Sequence, residues 1–255
     1  MTASLRQAGQ FLLAVLLVGL AWQLVSGLGL VKVYVLPPPL DVLRAFADNR
    51  PTITHHALVT LWTSLAGLAL GTVLAALAAL GMAYSGLLHR AFRPLVVMLS
   101  ACPIIGVIPI LVVAFGDGYG PRVAVAAVAS FIVTALYLVN GLSRTDALAD
   151  ELMHSLNASA WQRLRMVQSF SAVPYLMAAL KLSVSTCVIQ AIVAEWISGT
   201  SGLGYLVQFA GYSFRIDVMW AAVLTAVVIT LGLLGILALV ESLVFPWAVA
   251  EGRSL

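Results

Sequence analysis

Six apolar stretches, near 11–31, 57–83, 94–115, 123–139, 175–197 and 218–240, are each long enough for an α-helix to cross a bilayer, which takes about 20 residues. With 62% hydrophobic and 9% charged residues, the chain lacks the polar surface of a water-soluble protein, for which about a quarter or more charged residues is usual. Inside hydrocarbon every backbone polar group must be satisfied within the segment, so these runs can only be helices. The expected fold is therefore all-α: a polytopic membrane protein of six transmembrane helices in a single domain, residues 1–255. Phe11–Val31 is longer than the core of a secretory signal and is followed by no small-residue cleavage pattern, so it reads as a first, retained span.

Lys and Arg set the expected orientation. With the N-terminus inside, Arg6, Arg90, Arg93, Arg144, Arg163, Arg165, Lys181 and Arg253 fall on or near the cytoplasmic side, against Lys32, Arg44, Arg50, Arg122 and Arg215 outside. Both termini are then cytoplasmic. The net charge of +3 follows this loop bias; no basic stripe interleaved with aromatics points to nucleic acid. Cys102 and Cys187 fall in apolar runs and read as small buried hydrophobes.

The segments between and within the runs carry further expectations. Pro37-Pro38-Pro39 ends the first span, and Leu40–Phe46 is a short amphipathic helix at the outer interface. His55 and His56 read as polar interface, since no third ligand lies nearby to make a metal site. Gly67, Gly71, Ala75 and Ala79 place a small residue at every fourth position of span two, a stripe for close helix contact either within the subunit or between two copies. Pro103, Gly106 and Pro109 interrupt span three, which is either the kinked wall of a substrate path or a packed kink. In span five, Ser183, Thr186 and Gln190 share one face and are expected to line the path, whereas Glu195 lies roughly 140° away from Gln190, near the outer end, with a structural role, hydrogen-bonding the loop that follows.

The longest polar interval, within about 141–174, is itself patterned. Leu148, Leu152, Ser155 and Leu156 share a helical face, Asn157 interrupts, and Ala158-Ser159 opens a second short helix bearing Trp161, Leu164, Arg165 and Gln168. Asn tolerates the left-handed conformation that ends a helix, and Ser159 suits the N-cap of the next. This interval resembles the cytoplasmic coupling loop of bacterial ATP-binding-cassette (ABC) importer permeases, whose pattern is Glu-Ala-Ala, three residues, Gly, nine residues, then Ile-x-Leu-Pro. Glu151 matches the Glu; Leu152-Met153 replace Ala-Ala, Asn157 stands for the Gly, Val167 for the Ile, and Ser169-Phe170 for Leu-Pro. Pro174-Tyr175, Leu36–Pro39, His55-His56, Phe115-Gly116, Ala194-Glu195-Trp196 and Ser201–Tyr205 resemble the nitrate, sulfonate and taurine branch in order and spacing.

The resemblance implies a type I ABC importer permease, with Glu151, Leu152, Met153, Asn157, Ala158, Ser159, Trp161 and Arg165 meeting the ATPase. It implies residence in the bacterial inner membrane and work with cytoplasmic ATPase subunits, a second permease copy (identical or not) and an external solute-binding protein. It also implies a path for a small solute, of the nitrate, sulfonate or taurine kind or a vitamin precursor. No Gly-x-x-x-x-Gly-Lys-Ser/Thr occurs, so no cofactor is expected on this chain; ATP and Mg belong to the partner, and the chain is not itself an enzyme. Gly199-Thr200-Ser201-Gly202 resembles an intramembrane protease motif, but no His follows residue 154 to activate the Ser, and its glycines are expected to serve tight turns. The alternative from another class is an ion-coupled secondary transporter. It is disfavoured because the only ionisable candidates, Glu195 and Glu241, are expected at the periphery.

Overall fold

The computed structural model describes residues 2–84, 86–144 and 147–246, and the regular structure among these residues is all helical. In chain order the elements are α1 (Thr2–Gly27), α2 (Pro39–Asp48), α3 (Arg50–Tyr84), α4 (Gly86–Ala101), α5 (Ile104–Phe115), α6 (Tyr119–Ser143), α7 (Ala147–Ser155) and α8 (Ala160–Arg163). A π-helical turn (Leu164–Gln168) then leads into α9 (Ser169–Ser198), followed by α10 (Leu203–Tyr212) and α11 (Ile216–Val244). Of the residues invoked for orientation, Arg253 and the side chains of Arg6 and Arg93 lie outside this description, as does Asp146 at the start of the polar interval.

The apolar runs all fall on helices, but six straight spans are not what forms. Among the described residues, Arg50–Met82, Tyr119–Ser143, Ala160–Ser198 and Ile216–Val244 are long and apolar enough to cross a membrane. The third run is broken: Pro94–Ala101 and Ile104–Phe115 meet at 88°. The bend falls at Pro103, which has no N–H to continue α4 and holds φ −72°, ψ 90° as the N-cap of α5. Pro94 and Pro109 are accommodated inside α4 and α5, so of the three prolines only Pro103 breaks the helix. Cys102, expected to be buried, is exposed at this break, whereas Cys187 is buried and its thiol lies 3.4 Å from the Ala126 carbonyl. Among the described residues of the first run, Leu13–Gly27 is an apolar helix.

Two packing units make up the interior. In the first, α3, α6 and α9 lie side by side at close range. A Cβ at Gly67 would overlap Ala126, and one at Gly71 would overlap the Ala127 carbonyl and the Ser130 side chain, so glycine is what lets α3 and α6 touch. Ala75 and Ala79 continue the stripe and are buried with Val96, Ile132, Ala135 and Leu138. Of the two contacts the stripe allowed, the one formed is within the subunit. Ser130 bonds the Leu68 carbonyl at 3.3 Å, satisfying a hydroxyl that lipid could not.

The second unit gathers α2, the start of α3, α10 and α11 around Val42, Ala45, Ile53, Leu203, Leu206, Ala210, Val218 and Ala222. Here α2 is the amphipathic helix expected over Leu40–Phe46, with Val42 and Ala45 turned inward. The indole N–H groups of Trp22 and Trp220 donate to the carbonyls of Pro37 and Val35, at 3.0 and 3.2 Å, and so tether the proline loop. The rest of α11 presents Val228, Leu231, Ile236, Leu239 and Leu243 outward, as a helix facing lipid would.

Candidate functional site: a coupling corner and a clamp at the far end of α9

The polar interval folds into the two-helix corner that its sequence predicts. α7 ends with Asn157 at φ 50°, in the left-handed region. The Asn157 N–H donates to the His154 carbonyl at 3.0 Å and the Ala158 N–H to the Met153 carbonyl at 2.9 Å. These two bonds are the Schellman arrangement, in which a left-handed residue just past the helix satisfies its last carbonyls. Ser159 then caps α8 as expected: its hydroxyl accepts from the Gln162 N–H, and the Gln162 side chain accepts from the Ser159 N–H at 2.8 Å. The Arg163 guanidinium meets the Asp150 carboxylate at 2.6 Å and braces α7 against α8.

The second helix is not a separate short one. After the single turn of α8 the chain passes through the π-helical turn and runs into α9, so Ala160–Ser198 is one continuous helical rod. A π turn inserts an extra residue, which a period of 3.6 in the sequence does not reveal. Leu164 is buried at this junction, while Glu151, Leu152, Leu156, Asn157, Ser159, Trp161 and Arg165 are exposed and Met153 and Ala158 half-buried. The corner thus presents Leu148, Leu152, Leu156 and Trp161 outward, beside polar groups.

The residues expected to line a path are dispersed. Ser183 is wholly buried with its hydroxyl 3.2 Å from that of Thr134 on α6, and Thr186 donates to the Leu182 carbonyl of its own helix at 2.8 Å. Gln190 is half-buried, and its Oε1 accepts no hydrogen bond. Pro103 is exposed at the α4–α5 bend. On the other side of α9, Lys181 pairs with Glu241 of α11.

Sequence reasoning missed a cluster at the opposite end of α9 from the corner. Glu195, expected near the outer end with a structural role toward the following loop, does bond that loop, but it is wholly buried and not at the periphery. Its Oε2 accepts from the Thr60 hydroxyl at 2.8 Å and from the Gly204 N–H at 3.1 Å. Thr60 Oγ1 in turn accepts the Leu203 N–H at 2.8 Å. His56, read as a water-facing interface residue, accepts the Gly202 N–H on Nδ1 at 3.0 Å. Arg122, counted as an external loop charge, is 2% exposed and donates to the Ser201 carbonyl at 3.2 Å, with Asp117 3.8 Å away.

Four consecutive residues, Ser201 to Gly204, are therefore each held by a side chain: from α6, from α3 twice, and from α9. Gly202 has φ +106°, as a tight turn demands, and a Cβ there would also run into the Glu195 carboxylate. The signal available in the sequence was the pairing of Ala194-Glu195-Trp196 with a glycine-rich stretch, 199–204, that ends nine residues beyond Glu195. Only the fold brings His56, Thr60 and Arg122 to it.

The comparisons with known proteins agree with this architecture. The family model described as "Binding-protein-dependent transport system inner membrane component" matches residues 67–246. A "Probable ABC transporter permease protein" of Haemophilus influenzae is 30% identical over 210 residues, 82% of this chain and 86% of its own. The formylaminopyrimidine transport permease protein ThiX of Halalkalibacterium halodurans is 30% identical over 84% of this chain and 86% of its own. The taurine transport system permease protein TauC of Escherichia coli is 29% identical over 92% and 87%. A solved structure of the MetNI methionine ABC transporter, in inward-facing conformations, superposes with a TM-score of 0.62 at 19% identity, covering 76% of this chain and 98% of that one, and so shares the fold.

What the fold defines is an all-helical, type I ABC importer permease. The chain belongs to the family of inner-membrane components of binding-protein-dependent transport systems. That membership is what sets aside the ion-coupled secondary transporter, since the burial of Glu195 and Arg122 removes the argument from peripheral ionisable groups.

Proposed function

We propose that this chain forms half of the translocation path of an ATP-driven importer and that the corner around Asn157 docks on a cytoplasmic ABC ATPase, which binds the ATP and Mg. The observation that carries the reading is the corner itself. Two helices meet outside the packed bundle with apolar side chains facing outward, and the second continues unbroken into α9. A push on α8 is thus a push on a helix of the bundle. The N-terminus, the corner and the C-terminus lie on the cytoplasmic side in this reading, and a second permease copy, identical or not, completes the path.

At the other face, a groove of about 750 Å³ between the loop before α2 and the α10–α11 turn is lined by Tyr34, Asp41, Arg44, Asp48, Arg215 and Asp217. Phe214 stands at its rim, 87% exposed and with φ 55°, a conformation costly for a bulky residue. We assign this face to the external solute-binding protein, whose docking would cover the exposed aromatic. The path itself is assigned to the α4–α5 bend at Pro103 and to Thr186 and Gln190 of α9, whereas Ser183 is buried against Thr134 of α6 and is taken up by packing. Gln190 supports this: a buried amide oxygen without a donor is expensive in a membrane unless water or solute reaches it. The relatives named for taurine and formylaminopyrimidine suggest a small sulfonate-like anion or a vitamin precursor as cargo.

The test is purification of the tagged chain from its native membrane. An ABC-type ATPase should co-purify, and a cysteine replacing Trp161 should cross-link to it. Absence of the ATPase, or cross-linking only from the groove side, would refute the assignment.

A further inference from the structure

Glu195 lies 35 residues beyond Ala160, where the rod leaves the coupling corner, about 50 Å along the helix. α10 follows it after a short turn and is only 10 residues long, about 15 Å, too short to span a bilayer. Its buried side packs into the second unit, on Val218, Ala221 and Ala222 of α11 and on Ile53. The Ser201–Gly204 clamp is thus the joint between the α3–α6–α9 bundle and the α2–α10–α11 unit.

A turn with three glycines among six residues, 199–204, would otherwise be the most pliable link in this region. Instead each of its last four residues is fixed by a buried or half-buried side chain from a different place in the chain. The carboxylate of Glu195 also sits at the N-terminus of α10, where negative charge is favoured.

We propose that the Arg122, His56, Thr60 and Glu195 clamp makes α10 move as one body with α9, α3 and α6, so that a displacement at the coupling corner reaches the far face of the protein and is not dissipated in the α9–α10 turn. Glu195 is the central positioning residue, because it joins α9, α3 and the first turn of α10 through one oxygen. The inference rests on reading the corner as the ATPase-docking segment, but the clamp can be tested without it.

The first measurement is hydrogen–deuterium exchange on the purified chain in lipid nanodiscs. Amides 202–206 should be protected in the native protein. They should exchange at least roughly tenfold faster in Glu195→Ala and Thr60→Val, and return to native protection in Glu195→Gln and Thr60→Ser, which keep the acceptor and the hydroxyl. Unchanged protection in Glu195→Ala and Thr60→Val would overturn the clamp.

The second uses the complex with its ATPase and a Tyr212→Cys reporter on α10, labelled by a maleimide with and without ATP plus vanadate. The labelling rate should differ between the two states in the native background and in Glu195→Gln, and the difference should vanish in Glu195→Ala. A difference that persists in Glu195→Ala, or is missing from the native complex, would overturn the transmission role. If no ATPase co-purifies, the docking assignment fails, while the exchange experiment still decides the clamp.

Discussion

The coupling corner and the clamp are both turns between helices at the two ends of one rod, yet they are built in opposite ways. Around Asn157 the bonds that form the turn, the Ser159 cap and the Arg163–Asp150 pair join residues at most 13 apart, the groups are exposed or half-exposed, and the chain folds its own turn. Around Gly202 the partners come from 79 to 146 residues away, apart from Glu195, and most are buried. The corner can be rebuilt against a partner at small cost, because water replaces whatever bond is lost. The clamp cannot open without stranding polar groups in an apolar interior. That difference suits an element that docks and one that transmits.

The contrast predicts a graded set of mutational costs. The largest is at Glu195→Ala, which leaves the Gly204 N–H without an acceptor and removes the carboxylate that the buried Thr60 hydroxyl bonds. Chemical denaturation in detergent should show a loss of about 3 kcal/mol. A loss below about 1 kcal/mol would place the clamp on the same footing as the corner. Next comes the bundle that carries the clamp. Gly71→Val forces a side chain into the Ala127 backbone and should cost about 2 kcal/mol, whereas Gly232→Ala on α11, where a Cβ meets nothing, should leave the midpoint unchanged.

How much of this was legible follows from the same contrast. Asn157 and Ser159 declared themselves because left-handed helix ends and N-caps are chosen by short-range chemistry. The Gly67, Gly71 and Ala75 stripe showed as a period of four, though its partner, α6, did not. The bond from Glu195 to the following loop was legible, but the burial of Glu195 and Arg122 and the inward turn of His56 were not, because a charged group or imidazole near a helix end looks the same in sequence whether it faces water or a turn folded back over it. The break at Pro103 was one of three equivalent prolines, and only the packing of α4 and α5 distinguishes them. The π turn left no mark on the sequence pattern.

Smaller effects are expected at the corner. Asn157→Val, forced into a left-handed backbone, should cost about 1 kcal/mol, and Asn157→Gly should be neutral or slightly stabilising. The half-exposed Arg163–Asp150 pair should contribute less than about 1 kcal/mol in a double-mutant cycle and fade in high salt. A larger, salt-independent coupling would mean that the corner is a rigid element like the clamp.

The most direct test of the coupling account is the ATPase activity of the assembled complex carrying each corner variant, read beside its ATPase stoichiometry. Asn157→Gly should match the native complex in both. Asn157→Val, with the chain still inserted in the membrane, should either lose the ATPase subunit or hydrolyse ATP without response to the loaded binding protein. An Asn157→Val complex with native stoichiometry and a native response would contradict the claim that this corner's geometry couples the chain to its motor.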